Sequence, residues 1–124
     1  RLFRGMDTCF NVPHSRHTTV YAEDIQRVPQ LKIMAVSDEA GVYLVSNETG
    51  SQFFVMGHSE YDANTLKQEY LRDLKKGMNP EIPKHYFPDD DPTKEPVLTW
   101  RSHGQWIYSN WLNYFVYQTT PYEL

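Results

Sequence analysis

Apolar and polar positions change period several times along the chain, and each change marks an element. Leu31-Lys32-Ile33-Met34-Ala35-Val36 is an almost continuous apolar run and predicts a buried strand. Val42–Val45 and Gln52–Met56 are two further β-rich runs. Between them lies Ser46-Asn47-Glu48-Thr49-Gly50-Ser51, which is turn chemistry, so the pair predicts a hairpin. Beyond it the period lengthens. Leu66, Tyr70 and Leu74 recur at helical spacing and predict a helix from Ala63 to Lys76. Asp62 is its expected cap and Gly77 its stop, with Lys75 and Lys76 suited to the negative end of the helix dipole.

The flanks are less regular. Phe10-Asn11-Val12-Pro13 predicts a short strand running into the polar loop His14–Thr19, and Glu23–Val28 a short helix stopped by Pro29. Pro80, Pro83, Pro88, Pro92 and Pro96 make residues 78–99 a long ordered arm, neither helix nor central strand. Ser102 followed three residues on by Gln105 is a capping-box signature. The helix predicted after it, over 103–118, is apolar around much of its circumference and is expected to pack into something large.

Composition narrows the classes. The 124 residues suit one domain, and 40% hydrophobic residues suffice for a core. The net charge is −4 and the longest like-charged block is Asp89-Asp90-Asp91, which argues against nucleic acid as a partner, since phosphate binding needs a clustered basic face. No stretch approaches the roughly 18 apolar residues of a membrane span. The chain starts at Arg1 without an initiator Met or a signal core, and opens in mid-pattern, while the aromatic helix reads as a finished end. A piece of a longer polypeptide is therefore expected. A single cysteine, Cys9, excludes an internal disulfide and fits a reducing, cytoplasmic setting.

The most informative chemistry is Gly57-His58-Ser59-Glu60 at the end of an apolar strand. In open α/β sheets that edge is where ligands bind. Histidine is the commonest general base, and a carboxylate two residues away can take one ring N–H and hold the other nitrogen toward a nucleophile. A surface turn with two unrelated polar groups has the same spacing, so spacing alone leaves both readings open. Cys9 invites a Cys-His-Glu triad, but Asp7-Thr8-Cys9-Phe10 lacks the sharp elbow that exposes such nucleophiles. It reads as an incidental, partly buried thiol. His14 and His17 lack the further ligands that would complete a metal site, so none is expected. Arg72, in the middle of a helix, is either a solvated ion-pair partner or a bidentate clamp for a carboxylate, facing the same sheet edge as the His-Glu turn.

A series of segments then runs in order through the chain: Phe3-Arg4-Gly5, Pro13-His14-Ser15-Arg16, Glu39-Ala40-Gly41-Val42-Tyr43-Leu44, Gly57-His58-Ser59-Glu60-Tyr61-Asp62, Tyr86-Phe87-Pro88, Trp100-Arg101-Ser102-His103-Gly104 and Ser109-Asn110-Trp111-Leu112-Asn113-Tyr114. Together they closely resemble the C-terminal half of the MetA-type homoserine O-acyltransferases, over nearly the whole chain. The resemblance, not the spacing, favours the catalytic reading of His58. It implies an α/β fold: the C-terminal part of a flavodoxin-like, three-layer domain related to class I glutamine amidotransferases. The nucleophilic Cys, an oxyanion hole and a substrate-binding Lys would lie in a preceding half that this chain lacks. By motif, His58 resembles the general base and Glu60 its carboxylate partner. Arg72 resembles the arginine that holds the homoserine carboxylate, and Ser15 a serine that contacts substrate and affects donor choice. Ser59 stands where other members carry Pro.

The reaction so implied is ping-pong transfer of an acyl group from acyl-CoA to L-homoserine through a Cys acyl-enzyme, in methionine biosynthesis, with no resident cofactor and no metal. Gly57–Glu60 and Leu66–Tyr70 look more like members using acetyl-CoA than succinyl-CoA. Three alternatives stand beside this reading: serine as acceptor, hydrolysis as in the related glutamine amidotransferases, and a non-catalytic half that dimerises through the aromatic helix. A homodimer is expected. Alone, the chain is expected neither to fold well nor to turn over.

Overall fold

The run Val42–Val45 becomes the spine of the fold. It lies in strand β2 (Gly41–Asn47), buried from Val42 through Ser46. A strand covered on both faces needs apolar residues at successive positions, which this segment supplies. Tyr43 and Leu44 join Leu2 and Ile107 in one core cluster, while Val42 and Val45 join Ile25 in another. β2 pairs antiparallel with β1 (Leu31–Ser37) on one side and β3 (Phe53–Val55) on the other. The computed structural model describes residues 1–121, which form a small α/β unit around this three-stranded antiparallel sheet.

β1 forms where expected but is not buried; Val36 is 62% exposed. Among the described residues it is an edge strand with a paired strand on one side only, its register slips between Ile33 and Val36, and the short helix α1 (Ala22–Gln26) packs beside it. The expected hairpin is present. At its tip Asn47 Oδ1 accepts the N–H groups of Ser51 (2.9 Å) and Gln52 (3.1 Å), and Gly50 takes φ +72° against the Phe115 ring. The strand expected at Phe10–Val12 does not form. Its apolar side chains bury around Leu2 and Tyr43 without a strand to pair with, so burial alone accounts for the alternation.

Helix α2 spans Thr65–Lys75. Asp62 does not cap it with its side chain. Its backbone closes the turn instead, accepting Thr65 N–H (3.2 Å) and donating to Thr65 Oγ1 (3.1 Å). Gly77, at φ +76°, ends the helix as expected, its N–H donating to Leu74 O at 3.1 Å. Of the predicted apolar face only Leu66 is buried, beneath Tyr86, Phe87 and Trp100; Tyr70 is half-buried and Leu74 exposed. Apart from one 3₁₀ turn at Pro88–Asp90, the proline-rich arm is irregular, as predicted.

Helix α3 (Arg101–Trp111) begins ahead of Ser102, which therefore lies inside it and caps nothing. The start is set by Trp100, whose buried indole Nε1–H donates to Tyr61 O at 2.8 Å. A π-helical turn (Leu112–Val116) and a last turn, α4 (Tyr117–Thr119), continue it. Gly104, Ile107 and Asn110 face inward, and Asn110 Nδ2 donates to Leu2 O and Arg4 O, both at 2.8 Å. Trp106, Tyr108, Trp111 and Tyr117 stay exposed, so the helix is embedded less deeply than its composition suggests.

Candidate active site

The site begins with a residue that has no side chain. A Cβ on Gly57 would lie 2.6 Å from Val12 Cγ1, 3.0 Å from His14 Nε2 and 3.1 Å from Tyr43 Cδ2. Only a hydrogen fits, which lets the Val12–His14 loop close onto the end of β3. His58 N–H then donates to Pro13 O at 2.8 Å. Ser59 is fixed from two sides: its hydroxyl lies 3.0 Å from Tyr43 Oη, and a Cβ on Gly104 of α3 would come within 2.9 Å of Ser59 Cβ. The backbone between His58 and Glu60 is therefore clamped between the central strand and α3.

On that turn, His58 Nδ1 lies 2.9 Å from Glu60 Oε1. A carboxylate only accepts, so Nδ1 carries a proton, and in the neutral imidazole the free lone pair is then on Nε2. The two side chains are 37% and 54% exposed, within reach of a reacting group. Tyr61 stacks on the imidazole, with ring centres 4.5 Å apart and planes 9° from parallel. Its hydroxyl donates to Glu69 Oε1 (2.8 Å), and Ser15 Oγ donates to Glu69 Oε2 (2.7 Å). Burial, followed by the Glu69 hydrogen bond and charge, pushes the Tyr61 pKa up to about 12.

Beside this turn opens a cleft of about 1070 Å³. Ser15, Glu69 and Arg72 line it together with Arg16, Glu39 and residues of the proline-rich arm. His58 and Glu60 are not among its lining residues. They connect to it through Pro13 and through the Tyr61–Glu69–Ser15 bonds. Arg72 is exposed, and its Nε donates to Asp73 Oδ1 at 3.2 Å. Arg16 ties the cleft wall together, donating to His14 Nδ1 (3.0 Å), Met56 O (3.4 Å) and Ala40 O. Burial first, then the charges of Arg16 and His58, push the His14 pKa down and keep that ring neutral.

Cys9 lines the same cleft but is exposed, not partly buried, because Asp7–Cys9 run as an open bend over the surface. Among the described residues no cluster of His, Cys, Asp and Glu could hold a metal ion. The pairing of His58 with Glu60 was legible in the sequence. The parts played by Tyr61, Glu69 and Arg16 were not. Tyr61 follows the motif directly, and its aromatic ring was the available signal.

The family model described as homoserine O-succinyltransferase matches residues 1–122. The chain belongs to the homoserine O-succinyltransferase family. Curated relatives are named as homoserine acyltransferases too. A homoserine O-acetyltransferase of Brevibacillus brevis is 56% identical over 124 residues, covering all of this chain and 40% of that protein. One from Methanomethylophilus alvi is 63% identical over 99% of the chain and 40% of its own length, and one from Clostridium novyi 58% over 99% and 41%. The chain thus spans about 40% of the length of the curated relatives it matches. The family carries the succinyl name, whereas these relatives carry the acetyl name. No helix among the described residues is long and apolar enough to cross a membrane.

Proposed function

We propose that this chain is the C-terminal part of a homoserine O-acyltransferase domain that moves an acetyl group from acetyl-CoA to the γ-hydroxyl of L-homoserine, a step toward methionine. A cysteine nucleophile outside this chain, on the flavodoxin-like sheet that these strands would complete, carries the acyl group between the two substrates. The observation behind the reading is the His58–Glu60 pair, 2.9 Å apart, on a turn clamped by Tyr43 and Gly104.

In the first half-reaction His58 Nε2 takes the thiol proton, the thiolate adds to the thioester carbonyl, and CoA leaves with that proton. In the second, Nε2 takes the homoserine hydroxyl proton, the oxygen adds to the acyl-enzyme, and the proton returns to the departing cysteine sulfur. Glu60 stays ionised throughout, holding the Nδ1 proton and offsetting the imidazolium charge. Arg72 keeps its terminal nitrogens for the homoserine carboxylate while Asp73 holds Nε, and Ser15 contacts substrate across the cleft. The chemistry needs no resident cofactor. The whole enzyme acts as a homodimer in the cytoplasm.

The test grafts residues 1–124 into the Brevibacillus brevis relative in place of the matching segment and follows CoA release with homoserine and each acyl-CoA. Acetyl-CoA should be the better donor, and His58→Ala should lower kcat by roughly 10²–10⁴-fold. A His58→Ala graft that turns over like its parent would remove the proposal.

A further inference from the structure

We infer that Tyr61 is a positioning residue for the His58 general base, holding the plane of the imidazole so that Nε2 keeps one direction. The inference rests on the catalytic reading of His58. The bond from Nδ1 to Glu60 fixes the ring at one point and leaves it free to tilt about that point, and both partners are substantially exposed. A second constraint is needed to fix the plane. Tyr61 supplies it: a flat face 4.5 Å away and 9° from parallel is the offset-stacked arrangement that aromatic rings favour.

Tyr61 can serve because it is itself held at three places. Its hydroxyl donates to Glu69, its carbonyl accepts the Trp100 indole N–H at 2.8 Å, and its N–H donates to His58 O at 3.2 Å. Glu69 in turn is held by Ser15. The imidazole thus rests on a residue whose side chain is anchored to helix α2 and the cleft wall and whose backbone is anchored to the start of α3. Nothing places Tyr61 against the reacting atoms. Its contribution is orientation, which bears on kcat more than on substrate affinity.

The test uses the grafted enzyme. Tyr61→Leu and Tyr61→Met remove the flat face, whereas Tyr61→Phe keeps it and loses the anchor. Without the ring, kcat should fall by about 10–100-fold with the KM for homoserine little changed, the size expected when a catalytic group is displaced by up to an ångström. The His58 Cε1 proton, shifted by the ring current of Tyr61, should lose that shift. Tyr61→Phe should restore most of kcat and part of the shift. A folded Tyr61→Leu or Tyr61→Met enzyme with parental kcat overturns the inference. Should neither fold, a Tyr61→Phe enzyme in which the His58 ring-current shift is lost while kcat stays parental overturns it. His58→Ala separates the two levels. If it is active, the base assignment fails and this inference with it; if it is inactive while Tyr61→Leu is active, only this inference fails.

Discussion

Replacing Gly104 by alanine sets two effects of opposite sign against each other. Gly104 lies within α3, where alanine is favoured over glycine by about 1 kcal/mol. Against this stands the contact: the new Cβ would be 2.9 Å from Ser59 Cβ and 3.1 Å from Ser59 O. Carbon atoms pack comfortably at about 3.5–4.0 Å, so Ser59 or α3 must move by roughly 0.6–1 Å. Neither yields easily, because the nearest atoms are a Cβ and a backbone oxygen, not the end of a flexible side chain. Such overpacking costs about 1–3 kcal/mol, so the net change is a loss of stability of up to about 2 kcal/mol. The larger effect should be kinetic. Ser59 lies between His58 and Glu60, and a shift approaching 1 Å in a catalytic group costs up to about 10²-fold. Expressed in the Brevibacillus brevis graft, Gly104→Ala should lower kcat by about 10–100-fold while shifting the melting temperature by a few degrees. A variant that melts higher and turns over normally would show that helix propensity dominates and that the clamp on Ser59 is slack.

Other expectations follow from single contacts. Cys9→Ser in the graft should leave kcat within about twofold, since Cys9 is exposed and plays no part in the proposed transfer; loss of CoA release would move the nucleophile into this chain. The Tyr61 pKa rises on folding from 10.0 to about 12, so the folded state retains a proton that the unfolded chain loses in that range. The stability from this group is therefore complete below pH 10 and lost as pH climbs toward 12, and alkaline melting curves should be flatter for Tyr61→Phe than for the parent. Glu39, 2.9 Å from His85 Nε2, holds the His85 pKa above its ordinary value by hydrogen bond and charge. That contact is strongest in mild acid and fades as pH rises through the raised value, and a proton-resonance titration of Glu39→Gln should return His85 to ordinary behaviour.

Much of the sheet was legible because Val42–Val45 of β2 are apolar at successive positions and the Asn47–Ser51 turn carries its own hydrogen-bond chemistry. The edges misled. Leu31–Val36 has the composition of a buried strand, but burial depends on what lies alongside, and among the described residues β1 has β2 on one side and no paired strand on the other. Phe10 and Val12 alternate like strand residues yet satisfy that alternation as an extended loop. Helix starts were misplaced where a buried group acts over a long sequence distance, as Trp100 does through Tyr61 O. In the site, His58 and Glu60 are two residues apart and could be read together. Tyr61, Glu69 and Ser15 meet only because α2 and the Pro13–Arg16 loop are folded against each other, which no local spacing records.

Arg16 shows how unevenly a site can weigh on its sequence. Two of the acceptors that its guanidinium gathers, at positions 40 and 56, are main-chain carbonyls, which every amino acid possesses. Those positions can therefore drift over evolutionary time without disturbing the junction. Lysine at 16 would bring one ammonium to a junction shaped for a planar fork and could not span the same set of acceptors. The freedom granted to two positions is thus balanced by intolerance at a third, and random substitution of all three together should recover variety at 40 and 56 but arginine alone at 16.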